Sequence, residues 1–223
     1  MSEISIYVNR TNHSENRQLP QTTEKYTLPL SLGDSTVLEA LQTIQEEIDD
    51  DLAIRYGCRF KQCGLCAVTV NGNPRMGCMT KVKEGMVIGP LDQIPVQKDL
   101  VVDRKFITET IKQKKLFPQL LNHSKNPLTS KEFDILNKCT DCQSCLSGCP
   151  EYSYKEMDSF AGPMFFVKLA QLQNHPQNEH NYSGKAKELG MEKCESCPGC
   201  PCPYGIPIKK LAINPFLNEL KTT

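Results

Sequence analysis

The sequence predicts an α+β fold in two parts: a small domain with one helix packed on a mixed sheet over residues 1–102, then an α-helical domain over residues 103–223. Three observations predict it. Apolar residues alternate with a period of two near the N-terminus and recur at helical spacing after Thr36. Beyond Asp103 the texture turns charged and helical. The twelve cysteines fall into short, regularly spaced groups.

Ile4, Ile6 and Val8 alternate with polar neighbours, the period of a half-buried strand. Asn9 to Lys25 carries Asn, Ser, Gln and Pro and reads as a turn or loop, and Tyr26 to Leu30 as a second strand. Thr36 and Glu39 form a T-x-x-E capping box, with Val37, Leu41, Ile44 and Ile48 at helical spacing behind it. Cys66 to Val70 is a strand, Asn71-Gly72-Asn73-Pro74 a turn, and Arg75 to Thr80 the partner strand. Residues 83–89 are extended again. Pro90 to Val102 links the halves, stiffened by Pro90 and Pro95. Asp103 to Lys115 is a charged helix with Phe106, Ile107 and Ile111 on it. Thr129-x-x-Glu132 caps another that runs into Cys139. Residues 155–174 read as helix broken at Gly162-Pro163, and Ser183 to Gly190 as a short helix ended by glycine. Ile206 to Leu220 reads as helix interrupted by Pro215.

Lys plus Arg and Asp plus Glu both number 26, so nothing in the charge balance favours nucleic acid or an anionic membrane as a partner. Only 39% of residues are apolar and Trp is absent, a composition that metal–ligand bonds would supplement. Met1-Ser2-Glu3-Ile4-Ser5-Ile6 has neither a basic region nor an apolar core of a signal peptide, and no apolar run reaches the length of a membrane span. The expectation is a cytoplasmic protein whose cysteines stay reduced for metal, with attachment to the cytoplasmic face of a membrane through a partner as a variant.

Cys139-x2-Cys142-x2-Cys145-x3-Cys149-Pro150 is the bacterial-type ligand run for a cubane iron–sulfur cluster. Its first three thiolates hold three corners, and the fourth is placed to reach another cluster. Near the C-terminus, Cys194-x2-Cys197-x2-Cys200 offers three more corners, followed after one residue by Cys202-Pro203. If ligands cross over as in two-cluster ferredoxins, Cys139, Cys142, Cys145 and Cys202 hold one cluster. Cys149, Cys194, Cys197 and Cys200 then hold the other. The shortened gap before Cys202 forces a tight exit around Pro201. Cys58-x4-Cys63-x2-Cys66, then Cys78, is the plant-type spacing for a [2Fe–2S] cluster. Gly57, Gly64 and Gly77 beside these ligands let the backbone approach the cluster closely. Zinc is the plain alternative throughout, yet Cys63-Gly64-Leu65-Cys66 lacks the matching second pair a zinc knuckle needs.

Other residues carry weaker signals. Arg59 and Lys61 either offset cluster charge or are solvated surface. His13, His123, His175 and His180 sit in polar contexts and read as surface, and Asp141 as a solvated loop residue. Tyr152 and Tyr154 read as core packing ahead of a place beside a cluster or pocket. No phosphate loop, Ser–His–Asp pattern or catalytic carboxylate pair stands out, so no catalytic residue is assigned.

Tyr56-Gly57-Cys58-Arg59, Cys63-Gly64-Leu65-Cys66, the helix Thr36–Asp50, and the stretch Pro90-Leu91-Asp92-Gln93-Ile94-Pro95-Val96 carry a resemblance. Together with the three cluster spacings in order, they make nearly the whole chain similar to the iron–sulfur subunit of succinate dehydrogenase and fumarate reductase. The resemblance implies a plant-ferredoxin-like (β-grasp) domain followed by an α-helical two-cluster ferredoxin domain. It implies a [2Fe–2S] cluster on Cys58, Cys63, Cys66 and Cys78, near the flavin of an FAD-containing catalytic subunit. A [4Fe–4S] cluster on Cys139, Cys142, Cys145 and Cys202 matches the family's middle one, and Cys149, Cys194 and Cys200 match the distal one. The family's distal cluster is [3Fe–4S]; a cysteine at Cys197 favours a second [4Fe–4S] cluster here. Tyr154 and Glu195 stand where the family often has Trp and His near quinone. Quinone at a membrane-anchor subunit, or another electron acceptor, therefore completes the expected path. The rival expectations are a subunit of a different flavin-linked oxidoreductase serving a thiol, disulfide or other acceptor, a free polyferredoxin, and a zinc-stapled interaction protein.

Overall fold

The computed structural model describes residues 3–11, 21–29, 34–119 and 128–222. They form two compact units: Met1–Asp103 with Cys142–Gly148, and Arg104–Asp141 with Cys149–Thr223.

In the first unit, β1 (Glu3–Thr11) and β2 (Gln21–Pro29) pair antiparallel. β3 (Ala67–Val70), β4 (Asn73–Met76) and β5 (Val87–Gly89) complete a five-stranded sheet in the order β2-β1-β5-β3-β4, with β5 parallel to β1. Ile4, Ile6 and Val8 all face the core, so the alternation seen in the sequence is the pleat itself. The strands run further than expected, to Thr11 and from Gln21, because Arg10 takes an inward position. A buried guanidinium needs partners, and it has them. Its Nε lies 3.0 Å from Asp99, Nη1 donates to Tyr26 Oη at 2.8 Å, and Asp49 takes a further contact. Asp99, fully buried, also accepts from the N–H groups of Thr11 and Ala53. The rest of the expected loop, residues 12–20, lies outside the described residues.

Helix α1 (Val37–Thr43) begins at the expected capping box: Thr36 Oγ1 accepts from Glu39 N–H and Glu39 accepts from Thr36 N–H at 2.6 Å. Hydrogen bonds from Thr36, the backbone one first, hold the Glu39 carboxyl below its ordinary range. The helix then widens into a π turn, Ile44–Ile48, closed by Asp49 N–H on the Ile44 carbonyl. The extra residue in that turn rotates Ile48 off the buried face. Ile44 is fully buried while Ile48 is 52% exposed, against the expectation that both pack inward. Asn71 and Gly72 are both left-handed, as a two-residue hairpin turn requires. The strand therefore resumes at Asn73 and ends at Met76, and Gly77–Met79 is a 3₁₀ turn where strand was expected. Pro74 is tolerated because β4 is the sheet edge.

The expected linker is part of the first unit. β6 (Val96–Lys98) and β7 (Val101–Val102) pair antiparallel, and Leu91, Ile94, Leu100 and Val102 are buried. Prolines and short apolar positions resemble a spacer in sequence; here they turn a strap that covers the core.

In the second unit, α2 (Lys105–Gln113) buries Phe106 and Ile107. Helix α3 (Lys131–Leu136) is capped by Ser130, whose Oγ accepts from Phe133 N–H at 3.1 Å. The cap is thus one residue later than the Thr129 box, and the helix stops before Cys139. A four-residue helix, α4 (Ser144–Ser147), belongs to the first unit. Helix α5 (Pro163–Gln173) starts on Pro163, a position that needs no N–H. Between α4 and α5 only the 3₁₀ turn Tyr154–Glu156 is helical, where the sequence suggests helix from residue 155. Met164 to Val167 are all buried, making α5 the central helix. Helix α6 (Ser183–Glu188) ends towards Gly190, which is left-handed (φ 75°); a Cβ there would lie 2.1 Å from the Ser159 carbonyl oxygen. A π turn, Lys209–Ile213, leads into α7 (Asn214–Thr222), so Pro215 falls in the first turn of a helix and interrupts nothing. Tyr152 is buried and Tyr154 packs edge-on against Phe106 at 5.3 Å, which is the core-packing role.

Candidate metal centres

None of the twelve cysteines is joined to another in a disulfide. The first group grows out of a loop whose backbone bends left-handed at Arg59, Lys61 and Gly64. Those bends curl the chain around Cys58 Sγ, which accepts from the N–H groups of Phe60 and Gln62 at 3.3 Å and of Cys63 at 3.2 Å. Cys58 N–H in turn donates to Cys63 Sγ at 3.4 Å. The Gln62 and Phe60 bonds lead in pulling the Cys58 thiol down to about 7. Cys66 opens the approach to β3, and Cys78 sits in the 3₁₀ turn after β4. Gly77 ties the two, donating to the Cys66 carbonyl at 2.8 Å; a Cβ on Gly77 would lie 3.2 Å from that oxygen. Burial pushes the Cys66 thiol up to about 12, with the charges of Cys78 and Cys63 adding to it. The four thiols are therefore linked neighbour to neighbour. Arg59 sits over the Tyr56 ring at 5.4 Å, and Phe60 between the two cations is 78% exposed.

The second group divides between the units. Cys139 and Asp141 belong to the second unit, and there Asp141 is ion-paired with Lys168 of α5 at 2.7 Å, not simply solvated. Burial pushes the Cys139 thiol up to about 12; the Asp141 charge adds to this and the Lys168 charge opposes it. Cys142 and Cys145 are buried in the first unit, where Gln143, left-handed and buried, donates to the Asp103 carbonyl at 3.0 Å. Cys202 is half-buried in the second unit, at the head of a turn closed by Gly205 N–H on its carbonyl.

The third group is the most compact in its electrostatics. Cys149, Cys194, Cys197 and Cys200 feel one another's charge. Burial first, then repulsion from Cys149 and Cys197, pushes Cys194 up to about 12, and Cys200 likewise. Lys209 reaches back to this loop: its Nζ donates to the carbonyls of Cys194, Glu195 (3.2 Å) and Cys197 (2.8 Å). The Glu195 carboxylate pairs with Lys221, which lowers its pKa.

These features fit iron–sulfur clusters. The donors are all sulfur, N–H groups point at a ligand sulfur, and thiols crowded until they repel are those a metal's charge would settle as thiolates. Among the described residues no three His, Cys, Asp or Glu side chains converge on a single-ion site. A cluster spreads its ligands over several irons, so convergence on one point is not needed. His175 packs against Phe133 and His180 against Tyr182, while His13 and His123 lie outside the described residues. The residues that sequence reasoning missed are Lys168 and Lys209. Both act across long stretches of chain, and no spacing rule announces them.

Residues 5–109 match the family model described as a 2Fe-2S iron-sulfur cluster binding domain, so the N-terminal part is a domain of that class. One subunit of the CoM/CoB fumarate reductase of Methanothermobacter marburgensis is 34% identical over 185 residues, covering 81% of this chain and 37% of that protein. An uncharacterized iron–sulfur protein of Methanocaldococcus jannaschii is 35% identical over 94% of this chain and 42% of its own length. The chain thus spans about two fifths of the length of these two relatives. The fumarate reductase iron–sulfur subunit of Mycobacterium tuberculosis is 28% identical, with 83% of this chain and 81% of that one covered. A chain of the Mycobacterium smegmatis Sdh1 complex in the apo form shares the fold, with a TM-score of 0.82 at 24% identity over 99% of this chain and 96% of that one. The chain is thus similar in sequence to fumarate reductase iron–sulfur subunits and similar in fold to a chain of the Sdh1 complex.

Proposed function

We propose that this chain is the electron-transfer iron–sulfur subunit of a succinate dehydrogenase or fumarate reductase-like complex. It relays electrons between an FAD-containing catalytic subunit and quinone, or another acceptor, at a membrane-anchor subunit. The part up to Val102 carries a [2Fe–2S] cluster on Cys58, Cys63, Cys66 and Cys78. The part from Asp103 carries a [4Fe–4S] cluster on Cys139, Cys142, Cys145 and Cys202, and a second cubane on Cys149, Cys194, Cys197 and Cys200. With four cysteines in that last set, [4Fe–4S] is favoured over [3Fe–4S]. The observation that supports this reading most is the mutual approach of Cys149 and the three C-terminal cysteines, since a ligand from one run then completes the other. Bound clusters would carry one electron at a time; the chain's own part is to hold thiolates, aim N–H groups at sulfur and limit water.

A second reading takes support from the Methanothermobacter relative, whose name couples fumarate reductase to CoM and CoB. In it the partner flavoprotein is a different flavin-linked oxidoreductase, and the acceptor is something other than quinone. Tyr154 and Glu195, engaged with Phe106 and Lys221, are consistent with that. Among the described residues no helix is long and apolar enough to cross a membrane. The test is anaerobic capture of the chain from its native host, with assay for bound flavin and for fumarate reduction from a dye donor. A co-purifying flavoprotein with fumarate or succinate activity is the expected result. Fumarate activity that runs with a thiol donor and not with a quinol, or a flavoprotein without fumarate activity, moves the assignment to the second reading, and a chain that purifies alone overturns both.

A further inference from the structure

One side chain from outside the third ligand loop closes it. Lys209, in the π turn before α7, meets the carbonyls of Cys194, Glu195 and Cys197. An ammonium has three N–H donors and no acceptor. All three donors are therefore used on neutral backbone oxygens. Lys168 makes the contrast, because its Nζ goes to the Asp141 carboxylate at 2.7 Å and its charge is balanced there. The charge of Lys209 has no such counterpart among its partners. Of the carboxylates near this loop, Glu151 is exposed to solvent, and Glu195, itself exposed, feels the Lys209 charge through space while its ion pair is with Lys221. Water screens an exposed carboxylate more than it screens a half-buried ammonium.

We propose that Lys209 is a positioning residue with two duties toward the third cluster: its three hydrogen bonds fix the 194–197 loop in ligand-holding shape, and its charge, which no hydrogen-bonded carboxylate neutralises, raises that cluster's reduction potential. The proposal rests on the reading that Cys149, Cys194, Cys197 and Cys200 hold a cubane. A positive charge near a centre that gains an electron favours the reduced form, and outer-shell hydrogen bonds tune metal retention. The two duties separate by substitution. Lys209→Gln keeps amide donors for the carbonyls and loses the charge. Lys209→Arg keeps the charge, but its planar fork does not match three carbonyls spread over one turn. Lys209→Met loses both.

The experiment is a redox titration of the anaerobically purified complex, followed by EPR, with iron release to a chelator and thermal melting measured alongside. Lys209→Gln and Lys209→Met are expected to lower the midpoint of the third cluster and leave the other two in place. Lys209→Arg is expected to hold the midpoint but release that cluster's iron about tenfold more readily. An unchanged third midpoint in both uncharged variants overturns the proposal, as does a shift shared by all three clusters. Failure of the underlying reading shows separately, in the wild-type complex, as iron and sulfide too few for a third cluster.

Discussion

Around Cys58 the chain supplies its own support: left-handed turns at Arg59 and Lys61 bring three N–H groups to one sulfur. Around Cys194 and Cys200 the thiols face one another, and support arrives from Lys209, a residue of a later turn. The first loop is ordered by local backbone geometry and the third by a tertiary contact. Local order tolerates change elsewhere in the molecule; tertiary order depends on the helix that delivers it.

The largest expected consequence is in thiol chemistry. In the reduced, metal-free chain, Cys58 with its thiol at about 7 is half ionised at neutral pH, whereas Cys200 at about 12 is ionised to roughly one part in 10⁵. Timed alkylation with mass-spectrometric mapping should label Cys58 first, with a rate that climbs between about pH 6 and 8 and then levels. Cys200 should stay slow until strongly alkaline pH. Equal labelling of both would erase the contrast between the loops.

Next in size is the buried carboxylate behind the first loop. Asp99 holds Arg10 and the N–H of Ala53, which lies shortly before Cys58. Asp99→Ala leaves a buried guanidinium with one fewer partner and should destabilise the first unit by about 3 kcal/mol. Chelator-driven iron loss from the [2Fe–2S] site should quicken while the cubane sites keep their rate. A uniform effect on all sites would mean that the first loop is no more independent than the third.

The smallest expected effect sharpens the point about backbone. Lys61 pays for its left-handed conformation, so Lys61→Gly should change stability by less than about 1 kcal/mol, in the stabilising direction where strain relief exceeds chain entropy. A denaturant midpoint checks it; a loss of several kcal/mol would show that the lysine side chain, not the turn, holds the loop.

How much was readable in advance follows the same division. Thr36 and Thr129 each head a T-x-x-E pattern, but only Thr36 caps its helix; at the second site Ser130 stands one residue nearer the helix and takes the bond. Spacing defines candidates, and competition between neighbours chooses among them. Alternation located β1 because burial is periodic along a strand, yet it missed that Arg10 continues the pattern. A charged inward residue is legible only once Asp99, far later in the chain, is seen beside it. The same holds for the stretch from Pro90 to Val102, whose burial depends on a core assembled from earlier strands. The cysteine spacings were legible in the sequence. The lysines that support them were not, because long-range pairing leaves no period.

The division of the chain into units has a consequence for its synthesis. Cys142–Gly148 belongs with Met1–Asp103, so the first unit is discontinuous along the polypeptide. On the ribosome it is complete only after Gly148 has emerged, by which time part of the second unit is already outside. No single cut in the gene yields both units whole, and a fragment ending at residue 103 would lack the α4 turn that belongs to its own fold.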